Sequence, residues 1–161
     1  MKAQPKKEKM RMRKTFLLAA LVVAAASLMT ASVAFGGGQR SAAAATVKAH
    51  MSRFGSVLFD GSGRALYLFK RDTSSRSTCS GACAKAWPPL LTTSAPKAGM
   101  GTRASLLGTT KRGDGTVQVT YAGHPLYHFS GDTKAGQIKC ENVVNFGGLW
   151  LVVSPAGKAV T

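Results

Sequence analysis

The chain has 161 residues, 45% of them apolar and 17% charged, the balance of a globular core rather than a disordered tail, and a length that allows one domain beside a targeting segment. Its formal net charge is +16, but seven of the 22 basic residues lie in the first fourteen positions, and from residue 35 onward fifteen basic residues face five acidic ones, a net +10. Such a field attracts anionic polymers and membrane surfaces; the cations there are scattered, with only Lys70-Arg71 and Lys111-Arg112 adjacent, and no basic run interleaved with aromatics occurs, which speaks against specific nucleic-acid binding.

Residues 2–14 form a basic leader, and residues 15–35 carry no charge. Ser32-Val33-Ala34 supplies the small-x-small pattern of a cleavage site, which predicts a signal peptide over 1–34, cut after Ala34; residues 41–45 hold a second candidate site. The competing expectation is an uncleaved anchor, since about twenty apolar residues span a bilayer, although the Ala-rich run inserts weakly. No cysteine lies near the end of the apolar run, so lipid attachment is not predicted there. Residues 35–45, rich in Gly, Ser and Ala, read as a flexible linker. The remainder, 46–161, is expected as a single domain, secreted or on the extracytoplasmic face of the cell envelope.

That domain is a duplication. Residues 63–72, Gly-Arg-Ala-Leu-Tyr-Leu-Phe-Lys-Arg-Asp, return sixty positions later as Gly-His-Pro-Leu-Tyr-His-Phe-Ser-Gly-Asp. Without a gap, Gly55 falls on Gly115, Val57 on Val117, Gly63 on Gly123, Tyr67 on Tyr127, Phe69 on Phe129 and Asp72 on Asp132. A fixed period means one supersecondary unit used twice, each copy covering apolar surface that the other cannot bury alone. The repeats run over about 47–104 and 105–161. A weak strand pattern occupies 46–53. Val57-Leu58-Phe59, the turn Asp60-Gly61-Ser62-Gly63, and Leu66-Tyr67-Leu68-Phe69 form a predicted hairpin, and strands at 105–111, 117–121 and 126–129 repeat it. Pro125 belongs at a strand start or edge. A last strand is predicted at 149–154, and one short helix is allowed at 79–87, stopped by Pro88-Pro89. Gly-rich turns about every ten residues predict an all-β fold, a small sandwich or barrel from two pseudo-symmetric halves.

Tyr and Phe of each Tyr-x-Phe unit stand two apart and so share a strand face, with Asp72 or Asp132 at the strand end. Aromatic packing and turn-capping carboxylates account for that pattern; a calcium site would need six or more oxygens, which a chain this basic supplies poorly. The repeated Leu-Tyr-x-Phe-x-x-Asp, Cys79-Ser-Gly-Ala-Cys83-Ala-Lys-Ala-Trp87-Pro-Pro between the copies, and Phe146-Gly-Gly-Leu-Trp150-Leu-Val-Val-Ser-Pro at the end resemble the bacterial secreted-repeat family often labelled predicted lipoproteins, marked by a Tyr-x-x-x-x-Asp motif. The resemblance covers about residues 47–160 and implies location and architecture only. Two departures are the missing lipid-attachment cysteine and the presence of Cys140.

Cys79 and Cys83, four apart in an exported protein, are expected to form a disulfide, with Cys140 outside the bridge at a place where the first repeat has no cysteine. His124 and His128 lie four apart on one extended segment with Cys140 following, and imidazole plus thiolate suit Zn or Cu. Against a metal site, the first repeat has Arg64 and Leu68 at the matching places, and no fourth ligand is evident. No nucleotide-binding, metalloprotease, serine-hydrolase or haem motif occurs. The expectation is therefore a non-enzymatic envelope module that binds or builds, its partner an envelope component such as an anionic polymer or membrane surface. The alternative is a metal or redox protein using His124, His128 and Cys140.

Overall fold

The computed structural model describes residues 44–73 and 75–161. The predicted signal peptide and most of the predicted linker lie outside the described residues. Among the described residues nine strands form three three-stranded sheets. In the first, β1 (Thr46–Ser52) and β2 (Gly55–Asp60) make an antiparallel hairpin, and β1 also pairs in parallel with β4 (Lys97–Ala98). The second repeat builds the corresponding hairpin from β5 (Leu107–Lys111) and β6 (Val117–Tyr121), with β7 (His124–Pro125) on β6. The third sheet joins β3 (Tyr67–Phe69) to β9 (Gly148–Val152) and β8 (Val143–Asn145). One helix, α1 (Ala82–Ala86), lies within the predicted 79–87. The fold is all-β from two tandem repeats. The sheets do not close into a barrel. Among the described residues no helix is long and apolar enough to cross a membrane.

The closing segment of each repeat pairs with the other repeat. After Trp150, β9 runs along β3, with Tyr67 opposite Val152 and Phe69 opposite Trp150. After Trp87, the segment Pro88-Pro89-Leu90-Leu91 runs along the second repeat, with Pro89 opposite Tyr127 and Leu91 opposite Gln118. The hydrogen bonds correspond: Lys70 N donates to Leu149 O at 2.9 Å, and Ser130 N to Ala86 O at 3.0 Å. The third sheet draws strands from both halves, and each closing segment crosses to the other half, which is why the duplication makes one domain.

The same correspondence corrects the ungapped comparison of β2 with β6. Leu58 N donates to Val153 O, and its counterpart is Val119 N donating to Leu90 O, both at 2.8 Å. The buried trio Val57-Leu58-Phe59 thus matches the buried Gln118-Val119-Thr120, whereas Val117 is 37% exposed. The first hairpin tip places two residues between Ser52 and Gly55, and the second places three between Arg112 and Thr116. The following turns reverse that difference: three residues separate Asp60 from Arg64, and two, Ala122 and Gly123, separate Tyr121 from His124. Ala122 and Gly123 both have positive φ (49° and 81°), as a tight two-residue hairpin turn requires. The two length changes cancel, so the sixty-residue period is correct from Gly63 to Asp72 and one residue out across β2.

Alternation along the strands divides the core in two. Val57, Phe59, Tyr67, Phe69, Trp87, Tyr127 and Trp150 pack into one cluster. Leu58, Leu66, Leu68, Leu126, Val119 and Leu151 pack into the other. Tyr and Phe of each Tyr-x-Phe unit therefore point into one layer and the flanking Leu residues into the opposite one, as period-2 geometry demands.

Candidate functional site

The motif residues meet across the repeats. Tyr67 and Tyr127 face each other in an antiparallel bridge, each backbone N–H donating to the other's carbonyl at 2.9 Å. The Tyr67 hydroxyl donates to Asp132 Oδ2 and the Tyr127 hydroxyl to Asp72 Oδ2, both at 2.6 Å. Each carboxylate uses its other oxygen to cap its own connector: Asp72 Oδ1 accepts from Thr78 N and Oγ1, and Asp132 Oδ1 from Lys139 N. Burial, then the bonded carboxylate, push both phenols far above their usual range. Asp72 is raised by burial, against the Thr78 and Tyr127 hydrogen bonds. Asp72 and Asp132 are thus consumed as interior acceptors.

The aromatic members form a continuous stack beside these bonds. Trp87 and Trp150 are parallel at 3.9 Å, Phe69 stacks on Trp150 at 4.1 Å, and Phe129 lies tilted on Trp87 at 4.8 Å. Tyr67 meets Trp87 edge-on at 5.3 Å, and Tyr127 meets Trp150 edge-on at 5.1 Å. Both indoles are fully buried. The eight motif residues are the packed joint between the repeats; Trp150 Nε1 donates to Asn145 O at 3.0 Å, and Trp87 Nε1 is buried without a partner.

Cys79 and Cys83 are bonded, with Cα atoms 5.3 Å apart, and Cys140 is free and half-buried. Cys140 follows Lys139, whose N–H caps Asp132, just as Cys79 follows Thr78, whose N–H caps Asp72. It therefore occupies the place of Cys79 in the second repeat; the missing cysteine is the equivalent of Cys83. That corrects the expectation that the first repeat has no cysteine at this place, an error that came from a one-residue difference in connector length. Burial and Asp132 raise the Cys140 thiol.

His124, His128 and Cys140 stand in different surroundings. His128 is buried, its Nε2 3.5 Å from Asp60 Oδ2 and its Nδ1 3.4 Å from Ala65 O. Burial lowers its pKa, although Asp60 opposes the shift. His124 is half-buried; burial and Lys70 lower its pKa, against Asp72. Cys140 lies by Tyr67 and Asp132. Among the described residues no group of three His, Cys, Asp or Glu side chains is placed to hold a metal.

A groove of about 920 Å³ opens between the first hairpin and the connector of the second repeat. Its apolar lining includes Met51, Phe59 and Ile138, and Lys48, Arg53 and Lys139 bring positive charge. No carboxylate lines it. The three cations are held by backbone carbonyls: Lys48 Nζ donates to Gly61 O at 3.1 Å, Arg53 Nη2 to Ile138 O at 2.8 Å, and Lys139 Nζ to Gly131 O at 2.8 Å. Arg53 also lies 4.7 Å over the Phe54 ring. His50, exposed at the groove, meets Phe59 edge-on at 6.0 Å.

The corresponding junction, between the second hairpin tip and the connector of the first repeat, is different. Only about 210 Å³ remains there, lined by Ser77, Cys79, Ala84 and Arg112 among others. The Arg112 guanidinium is buried, donating to Ser77 Oγ, Gln118 Oε1 and Cys79 O. The disulfide and α1 occupy this side. Sequence reasoning missed the groove because its residues come from opposite repeats and share no motif. The local signal was the pair of cations Lys48 and Arg53 in the first hairpin, where Asp60 is the one acidic residue.

A family model described as a secreted repeat of unknown function matches the chain twice, over residues 49–91 and 108–154. Each match runs from the hairpin through the Tyr strand and connector to the closing segment, and together they cover more than half of the chain. No curated protein and no solved structure matches it.

Proposed function

The chain belongs to the family of secreted repeats of unknown function, and from that premise we propose that this extracytoplasmic protein is a binding module of the cell envelope, with the groove between the first hairpin and residues 135–139 as its binding site. The observation that carries this reading is the asymmetry between equivalent junctions: one is open at about 920 Å³, a volume typical of ligand sites, and the other is closed by Arg112, the disulfide and α1. Two copies of one unit need only pack against each other to be stable. A single open junction with a polar rim over an apolar floor is surface kept for a ligand.

A binding role rather than catalysis fits the chemistry. The five carboxylates of the described residues all accept intramolecular hydrogen bonds: Asp60 in its own turn, Asp72 and Asp132 in the Tyr exchange, Asp114 from Thr116, and Glu141 from Val152 N. None lines the groove, so acid–base pairs of the kind that drive hydrolysis are missing from it. Capture of envelope material by the exported form tests the reading. Wild-type protein should retain a ligand, and His50→Trp, which keeps the same net +10 field but places a large side chain at an exposed groove position, should lose it. Equal retention by both proteins would sink the proposal.

A further inference from the structure

The three cations of the groove point to its ligand. We infer that it takes a linear polyanion whose phosphodiester groups are spaced along a flexible, uncharged carbon backbone, an inference that rests on the groove being a binding site. Lys48, Arg53 and Lys139 approach the same 920 Å³ space from two elements, β1 with its hairpin tip and the second connector. Each spends one donor on a backbone carbonyl, which orders the head group and leaves its other donors free. No acid shares the lining to neutralise them. Among the described residues the ion pairs are Arg112 with Asp114 and His128 with Asp60, both outside the groove lining.

An inorganic ion would leave the exposed Met51 side chain and the edges of Phe59 and Ile138 beneath it uncovered, and an apolar ligand would leave three cations without counter-charge. A chain that alternates anionic groups with carbon segments satisfies both. Its anionic groups lie at the rim, where Arg53, ordered over the Phe54 ring, offers the bidentate fork that suits phosphate oxygens. Its carbon segments cover the floor. The open shape of the groove admits a passing polymer segment without a free end. A membrane surface is a different partner, and the vesicle arm of the test below distinguishes it.

The test uses the mature chain and a defined glycerol-phosphate oligomer, with phosphatidylglycerol vesicles and inorganic phosphate as the other arms. Three contacts on a flexible polyanion should make log Kd rise with log salt at a slope of about 2, from roughly 0.7 per neutralised phosphate. The triple variant Lys48→Gln/Arg53→Gln/Lys139→Gln should lose most of that slope and at least about tenfold in affinity, whereas Lys85→Gln/Arg103→Gln/Lys158→Gln, with the same change in net charge, should stay close to wild type. Melting curves establish that both variants fold. Equal weakening of the two triples would overturn the inference, because only the overall field would then be acting. So would groove-dependent binding to vesicles in place of the oligomer. If the oligomer fails to bind while envelope capture remains sensitive to His50→Trp, the phosphodiester ligand is wrong and the groove stands; if that sensitivity is lost as well, the binding-site reading falls with it.

Discussion

Tyr67 and Tyr127 lie on the pseudo-two-fold relation between the repeats, exchanging both backbone hydrogen bonds with each other at 2.9 Å while each sends its hydroxyl to the aspartate of the other's motif. Four residues separate Tyr from Asp in each copy, yet no Tyr bonds the Asp of its own copy. Reciprocity explains why the motif occurs twice: each carboxylate needs the phenol of the partner repeat, so a single unit would bury an unsatisfied Asp on one side and an unsatisfied Tyr on the other.

The two halves of this exchange differ in cost. Asp132 is 1% exposed and holds two partners, Tyr67 on Oδ2 and Lys139 N on Oδ1. Asp72 is less buried and keeps both Thr78 contacts when Tyr127 is lost. Tyr67→Phe should therefore cost about 1.5–3 kcal/mol, the range for a hydrogen bond to a charged group, and Tyr127→Phe should fall below it. Urea titrations of the two variants check the order. Equal costs would show that exposure of the carboxylate does not matter here.

The indole stack should be the most sensitive single point of the core. Trp87 and Trp150 are both fully buried and touch the aromatic residues of both repeats. Trp87→Ala should cost about 3–5 kcal/mol, the usual range for removing a buried large aromatic, which is a large share of a small domain's total of roughly 5–15 kcal/mol. Near-ultraviolet circular dichroism should lose the signal of the coupled indoles together with the drop in thermal midpoint. A fully retained signal in that variant would mean that the stack is not formed in solution.

Local chemistry explains what could be read ahead of the structure. The Tyr-x-Phe pairs share one layer because strand geometry has period two, and α1 lies where no Pro intervenes and stops before Pro88-Pro89. The exchange of closing segments was not legible, because residues 87–91 look the same whether they return to their own repeat or cross to the other. Nor was the one-residue slip in β2, since two turn-length changes cancel in the sequence and separate only in the hydrogen bonds of Leu58 and Val119. Lys48 and Lys139 are ninety-one positions apart, and nothing in the spacing of either announces that they line one groove.

The staple between Cys79 and Cys83 closes a very short loop, so in the chain-entropy estimate its removal should cost about 2 kcal/mol. Its surroundings suggest a second effect. Arg112 Nη2 donates to the Cys79 carbonyl at 2.6 Å, and α1 follows directly. Cys79→Ser/Cys83→Ser should lower the thermal midpoint and raise hydrogen exchange in α1 and at Arg112, while the Tyr exchange stays protected. Peptide mapping without reductant should show Cys79 joined to Cys83 and Cys140 as the free thiol; a Cys140-linked peptide would contradict the pairing.

Acidification from pH 7.5 should weaken the fold, and the reason is the two histidines of the second repeat. Burial lowers the pKa of His128 below its unfolded value of 6.5, against the pull of Asp60 and Asp132 and with the help of Arg64. Burial and Lys70 lower His124 in the same direction, against Asp72. A histidine with a depressed folded pKa binds more protons when unfolded, so its contribution to stability is fully present above pH 6.5 and is lost as pH falls from there through the folded value. Asp72 and Glu141, raised by burial from 3.8 and 4.5, act with the opposite sign at lower pH, where protonation relieves the penalty of burying them charged. The thermal midpoint should therefore fall between pH 7.5 and the mildly acidic range and flatten below it. His128→Asn should remove most of the first decline, since His128 is the more buried of the pair. A variant that retains the full decline would move the origin of the pH dependence away from the burial of His128.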